Sequence, residues 1–322
     1  MLDGASRPDT SASCGGETCG GSCLDGRCLV TLALAPSPGN LVARGTDIFF
    51  TSCPPGMGEI AKTSLDPAAP VEVATGRRCP TGLAVNGRRV YVGGWDGFVD
   101  VDGSGVDLAA LSLDVDGDAA PSLLVPGTEP IVGIAADGAD VYFTTTTSLM
   151  WVASSGGSPR ALVSGLGSAT RPLLDAANVY VGDASSGDVL RVARNSGVQS
   201  TLATGLPAIQ AIALGATDVL VGGAYLVRTV ALDGGAIGVV ATAAGAEVQS
   251  VAADDANAYF TSYGVVWKAP LHGGAEPIAL ASNQSDAVAI AVDDASVYWI
   301  NAASVEATPG ACCGKILKLT PK

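Results

Sequence analysis

A few side chains in this sequence have types and spacings that suggest chemistry. Cys14, Cys19, Cys23 and Cys28 form a C-x4-C-x3-C-x4-C set in a Gly-rich segment. Four thiolates can hold Zn²⁺, but the usual C-x2-C pairs and a supporting knuckle or helix are missing. Two disulfides stapling a segment too small for a core explain the pattern better. Three pairings are open, and spacing does not choose among them. Asp114, Asp116 and Asp118 alternate like the start of a Ca²⁺ loop, without the full D-x-D-x-D-G…E pattern. They make calcium the one candidate cofactor; otherwise none is expected. A second acidic run, Asp96, Asp100, Asp102 and Asp107, overlaps an ordinary turn. The single histidine, His272, sits in a Leu271-His272-Gly273-Gly274 turn. General base work needs a positioned partner in a cleft, so His272 reads as a surface residue.

The chain has 322 residues, of which 48% are hydrophobic and 15% charged, and 42 are glycine. Such a composition fits many short buried strands joined by tight turns. Net charge is −14 and the pI is near 4.3, so a phosphate backbone is an unlikely partner and nucleic acid is excluded as a target. Mean hydropathy is +0.38, yet no apolar run of about 18 residues exists, so no transmembrane helix is expected. Residues 1–13 lack the apolar core of a leader. Eight cysteines, mostly in close groups, nevertheless point to an oxidising compartment. The expectation is a secreted, periplasmic or cell-surface protein whose leader is absent from this chain.

One phrase recurs: a small apolar residue, Asp, a few turn residues, then Val-Tyr. Its anchors are Phe49, Tyr91, Tyr142, Tyr180, Leu220, Tyr259 and Tyr298, at spacings of 42, 51, 38, 40, 39 and 39 residues. Copies near forty residues match four-stranded propeller blades. The fold class is therefore all-β, a seven-bladed β-propeller. The recurrent Asp137, Asp175, Asp254 and Asp293 fall in the turn between strands 1 and 2, where Asp bonds its own backbone. Gly-rich turns such as Ser154-Ser155-Gly156-Gly157 and Asp102-Gly103-Ser104-Gly105 read as the hairpins between strands 3 and 4. The long spacing of 51 marks an insertion in blade two, placed at residues 111–122.

The seventh repeat lacks a fourth strand, while residues 30–34 precede the first repeat with no blade of their own. Strand 30–34 should therefore complete the C-terminal blade against 315–320 and close the ring, which removes an exposed edge. Residues 1–29 would form a Cys-rich arm and 30–322 the propeller, with the arm leaving on the face opposite the axial site.

The phrases Val297-Tyr298-Trp299-Ile300-Asn301, Val141-Tyr142-Phe143-Thr144-Thr145 and Ala258-Tyr259-Phe260-Thr261-Ser262 resemble YWTD-type repeats. The broader pattern is similar to NHL- and TolB-like propellers and to uncharacterised secreted bacterial propellers. The resemblance spans residues 30–322, although YWTD propellers have six blades. It implies a binding scaffold more often than an enzyme, and it transfers no functional residue.

In a propeller the 2–3 and 4–1 loops share one face. Cys53 and Cys79 lie on such loops and should pair. Cys312 and Cys313 would then form a vicinal disulfide, the competing reading being a bond to another cysteine or another chain. The same face opens onto the axis, whose mouth should be lined by Asn40, Arg77, Thr81, Arg171, Gln210, Glu247, Gln249 and Asp286. Trp95, Tyr225 and Tyr263 sit on 2–3 loops nearby. Amides, a charge pair and aromatic faces suit a protein or glycan ligand. The leading expectation is a monomeric, non-enzymatic binding scaffold. The rivals are a hydrolase- or lyase-type propeller enzyme and a structural envelope protein.

Overall fold

The computed structural model describes residues 12–14, 17–53, 58–65, 70–77, 80–94, 98–99, 105–106, 110–116, 122–125, 129–243, 246–302 and 313–322. Seven antiparallel sheets form the blades of a β-propeller. Blade six shows the plan: Val248–Ala253, Asn257–Ser262, Val265–Pro270 and Ile278–Ala281, paired in that order from axis to rim. Every second strand is buried almost end to end, as in Asn257–Ser262 and Val297–Asn301, because a strand sandwiched between neighbouring blades has no solvent face. The repeat anchors are the centre of this packing. Tyr259, Tyr298 and Leu220 are fully buried, and Phe49, Tyr91, Tyr142 and Tyr180 nearly so.

The ring closes as its ends require. Arg27–Pro36 pairs antiparallel with Cys313–Thr320 as the outer strand of blade seven. Ser22–Leu24 adds a fifth strand outside it. The arm's disulfides are Cys14–Cys23 and Cys19–Cys28; the second fastens the arm to the start of the closing strand.

The blade-two insertion lies elsewhere than the sequence suggested. Residues 111–114 belong to a regular third strand, Ala110–Asp114, paired with Arg89–Gly94. The extra length is in the 2–3 connection, which carries a small hairpin of Phe98–Val99 and Gly105–Val106. Asp102-Gly103-Ser104, which lie outside the described residues, precede the third strand in sequence and so are not its 3–4 turn; Asp and Gly are selected by any tight hairpin.

The recurrent aspartates are structural. In blades four, six and seven, Oδ1 of Asp175, Asp254 and Asp293 accepts the N–H groups two and three residues on. Oδ2 of the same residues accepts the hydroxyl of the anchor tyrosine five residues on, at 2.6–2.8 Å. Where the anchor lacks a hydroxyl, at Phe49 and Leu220, the position five residues earlier is Arg44 or Gly215. Burial, reinforced by the Asp175 carboxylate, pushes the Tyr180 hydroxyl up to about 12. The unfolded chain would then lose this proton first, near pH 10. Stability from this pair should be intact below pH 10 and decline as pH rises towards 12. Denaturant titrations of wild type and Tyr180→Phe should show a steeper alkaline decline in the wild type.

In blade three a cation bridges the aspartate and the tyrosine in place of the direct bond. Arg194, from blade four, bonds Asp137 Oδ2 at 2.7 Å, the Tyr142 hydroxyl at 3.2 Å and the Asp175 carbonyl at 2.9 Å. Its guanidinium also lies over the Tyr142 ring. Lys322 repeats the device between blades six and seven, with Nζ 2.8 Å from Asp254 Oδ2 and 2.6 Å from the Asp293 carbonyl. Burial raises the Asp254 carboxyl, but Lys322 and the local N–H and O–H donors outweigh it and hold the group well below the carboxylate range. Arg194→Ala should cost about 1–3 kcal/mol, chiefly by removing the bonds to the Tyr142 hydroxyl and the Asp175 carbonyl, since the pair with exposed Asp137 adds little. The check is a chemical denaturation midpoint, and an unchanged midpoint would deny the latch its role.

Candidate functional site

The inner strands of the blades include Pro38–Arg44, Pro80–Asn86, Ile131–Asp137, Ile209–Leu214, Val248–Ala253 and Ala287–Val292. Each carries a register shift against its second strand, near its loop-face end. Such bulges re-aim side chains. Blade four goes further: its inner strand is only Leu173–Leu174, because Pro172 offers no N–H to the ladder.

Register identifies the ring that faces the axis. The anchors pair with Val42, Ala84, Ala135, Leu173, Ala213, Ala252 and Ala291. Two residues before these stand Asn40, Gly82, Gly133, Arg171, Ala211, Ser250 and Ala289. Five of the positions are thus Gly, Ala or Ser, one is an amide and one a guanidinium. The inner strands crowd here. A Cβ on Gly133 would lie 2.5 Å from the Arg171 Cα and 2.7 Å from its Cβ, so only glycine lets blade four approach with its arginine in place.

Asn40, Arg171 and Gln210 line an axial cavity of about 160 Å³, with Ser250 and Thr170 beside them and Leu41, Ile212 and Ile290 as apolar wall. Three expected mouth residues are therefore brought together. No ion-pair or hydrogen-bond partner of the Arg171 side chain occurs among the described residues. The side chain is exposed to solvent at the cavity, and the protein packed around it lowers its pKa. An arginine keeps its proton regardless, so the cavity carries a positive charge.

The other expected residues divide. Thr81 lies next to the ring position Gly82; its hydroxyl bonds the Ile131 carbonyl at 2.6 Å, and its own carbonyl accepts Asn40 Nδ2 at 2.9 Å. It stitches blades one, two and three together. Gln249 is the exposed bulge residue of blade six, and Glu247 and Asp286 are exposed just before inner strands, at the rim. Arg77 ends the outer strand of blade one, opposite Gly58, which places its backbone away from the axis. Trp95 lies outside the described residues. Ser250 and Gly133 escaped notice in the sequence, although counting back two residues from each anchor's partner would have found both.

Tyr225 and Tyr263 project from 2–3 turns of blades five and six on the cavity's face, 51% and 87% exposed. Tyr263 also holds a left-handed backbone, φ 47°, a conformation that is costly for a bulky residue. His272 is exposed in its 3–4 turn on the opposite face.

Two of the acidic candidates, Asp114 and Asp116, are engaged by cationic side chains. Arg88 Nη2 lies 3.1 Å from Asp114 Oδ1 and 2.8 Å from Asp116 Oδ2, and Lys62 pairs with Asp116. Asp118, Asp96, Asp100, Asp102 and Asp107 lie outside the described residues. Among the described residues no three metal-ligating side chains cluster. Cys53 is disulfide-bonded, to a cysteine whose side chain lies outside the described residues. Cys79 and Cys312 are themselves outside them, as is the side chain of Cys313. No helix among the described residues is long and apolar enough to cross a membrane.

The architecture is that of seven-bladed β-propellers. No protein-family model and no curated protein matches the sequence significantly. Solved structures do match in shape. U3-55K aligns with a TM-score of 0.68 at 12% identity, over 91% of this chain and 98% of that one. A catalytically inactive His-to-Ala variant of virginiamycin B lyase from Staphylococcus aureus, with quinupristin, gives 0.67 at 13%, over 91% and 99%. A nidogen/laminin complex gives 0.51 at 15%, over 72% and 88%. At such identities the likeness is one of fold.

Proposed function

We propose that this protein is a secreted or cell-surface binding scaffold, acting as a monomer, whose loop-rich face recognises a protein or glycan. The observation that carries the reading is the exposure of Tyr225 and Tyr263 on the face onto which the axial cavity opens. Two large aromatic rings stand in water on adjacent blades, one on an unfavourable backbone, with no folding role that requires them. Exposed aromatics of this kind supply contact area and ring faces for stacking. The arm's two disulfides support an oxidising compartment, and a net charge of −14 argues against nucleic acid.

A lyase reading has less support. The virginiamycin B lyase neighbour lost activity with a histidine, whereas the only histidine here, His272, is on the far face. The test is a glycan array and a panel of purified extracellular-matrix proteins, probed with oxidised wild type and a Tyr225→Ala/Tyr263→Ala double variant. Binding should fall about tenfold or more in the variant at unchanged Tm, as for aromatic hot spots. Identical profiles for the two proteins would remove the basis for the proposal.

A further inference from the structure

The axial ring contains a residue that folding alone does not favour. Six of its seven positions are small or neutral, and small neutral residues would close the axis without electrostatic cost. Arg171 breaks that pattern. Its side chain lines the axial cavity, is open to solvent and has no partner among the described residues, so its charge is available to a ligand. The neighbouring blade accommodates it through Gly133, where a Cβ would collide with the arginine's own Cα. Sites that violate local stability rules in this way tend to be functional.

We propose that the axial cavity is a receptor for a small monocarboxylate group, held through a bidentate pair with Arg171; this rests on the loop face being the binding face. The planar fork of a guanidinium matches the two oxygens of a carboxylate. Two further donors are available. The Gln210 side chain has no partner among the described residues, and the Ser250 hydroxyl accepts the Ile290 N–H at 3.3 Å while retaining its own proton to donate. Leu41, Ile212 and Ile290 form the wall against which a short aliphatic body packs.

Size and charge narrow the class. A space of 160 Å³ equals roughly five waters at about 30 Å³ each. That holds a branched three- to five-carbon acid, or the acidic tip of a longer ligand entering from the loop face. One cation balances one negative charge. A phosphate dianion would leave a net negative charge inside a protein already at −14, so a monoanion is favoured.

The experiment uses the oxidised full chain and sodium isobutyrate, titrated by calorimetry and two-dimensional amide NMR to about 50 mM, well past the ~1 mM dissociation constant of a weak single-site contact. Sodium chloride at matched ionic strength, isobutyramide and inorganic phosphate are the comparison arms. Isobutyrate should bind, with amide shifts at Gly133, Gln210 and Ser250, and isobutyramide should not. Arg171→Met should fold with equal or higher Tm and lose about tenfold or more in affinity, and Arg171→Lys should weaken binding less, because it keeps the charge but not the fork.

Absence of a response specific to isobutyrate, equal binding by Arg171→Met, or tighter binding of phosphate would overturn the proposal. So would a lowered Tm in Arg171→Met, which would make Arg171 a structural residue. The tyrosine double variant separates this inference from the scaffold reading: it should keep full isobutyrate affinity while losing array binding. Loss of isobutyrate affinity in that variant would count against an axial site.

Discussion

A chain shortened to begin at residue 37 should not form a stable monomeric ring. It would lack the strand Arg27–Pro36, whose Val30, Leu32, Ala33 and Ala35 are buried. The two larger side chains alone are worth about 1.5–3 kcal/mol each when buried. The backbone ladder to Cys313–Thr320 would go with them. Total domain stability is only about 5–15 kcal/mol, so the loss is a large share of it. The same deletion bares an unpaired strand edge, which recruits other chains. We expect a broad or absent thermal transition and oligomers by light scattering. Leu32→Asp, which places a carboxylate in the blade-seven core, should reproduce the effect in the full-length chain. A shortened chain that stays monomeric and melts at the wild-type temperature would show that closure is dispensable.

Gly133→Val should be the most damaging substitution near the axis. The added atoms start 2.5 Å from the Arg171 Cα, which is backbone and cannot rotate away. Overpacking typically costs about 1–3 kcal/mol, and a clash against fixed backbone falls at or above the top of that range. The inner strands of blades three and four must separate, and Arg171 must move with them. Gly133→Ala should show a smaller loss of the same kind. Isobutyrate binding, if Arg171 carries it, should fall in both variants in the order of their destabilisation. A Gly133→Val protein with wild-type stability would mean that the ring is more open at this level than its spacing indicates.

Much of the architecture was legible because the repeat is local. Each anchor and its preceding turn lie within about ten residues, and a two-residue period with Asp and Gly at turns has one reading. The closing strand was legible by subtraction, since blade seven lacked a partner and residues 30–34 lacked a blade. The insertion was misplaced because Asp102-Gly103-Ser104-Gly105 obeys the same turn chemistry whether it ends an added hairpin or a regular one. The Asp-to-Tyr hydroxyl bond was partly inferable: the acid disappears at Arg44 and Gly215, where Phe49 and Leu220 offer no hydroxyl, although blade two has Asn86 before Tyr91. Arg194 could not, because its partner Asp137 lies a blade away and no sequence rule links them. The axial site was half legible. Asn40, Thr81, Arg171 and Gln210 all emerged from alignment on the anchors, but the Thr81 hydroxyl is committed to the Ile131 carbonyl.

Because the outer strand of the last blade comes from the beginning of the chain, the order of synthesis and the order of assembly differ. Blades one to six can form in sequence from neighbouring segments, whereas residues 27–36 must wait for 313–320. Joining segments nearly a whole chain apart carries an entropic cost of about 5 kcal/mol on the logarithmic scale of loop closure, and contacts this distant slow the final step. Until the last residues are made, the first strand remains an unmatched ribbon. The Cys19–Cys28 bond spans only the arm and the root of that ribbon, so it can form at the outset and shorten the flexible length left to search. Newly made protein should therefore pass through a long-lived open arc, oxidised at its head and vulnerable to proteases, before it snaps shut.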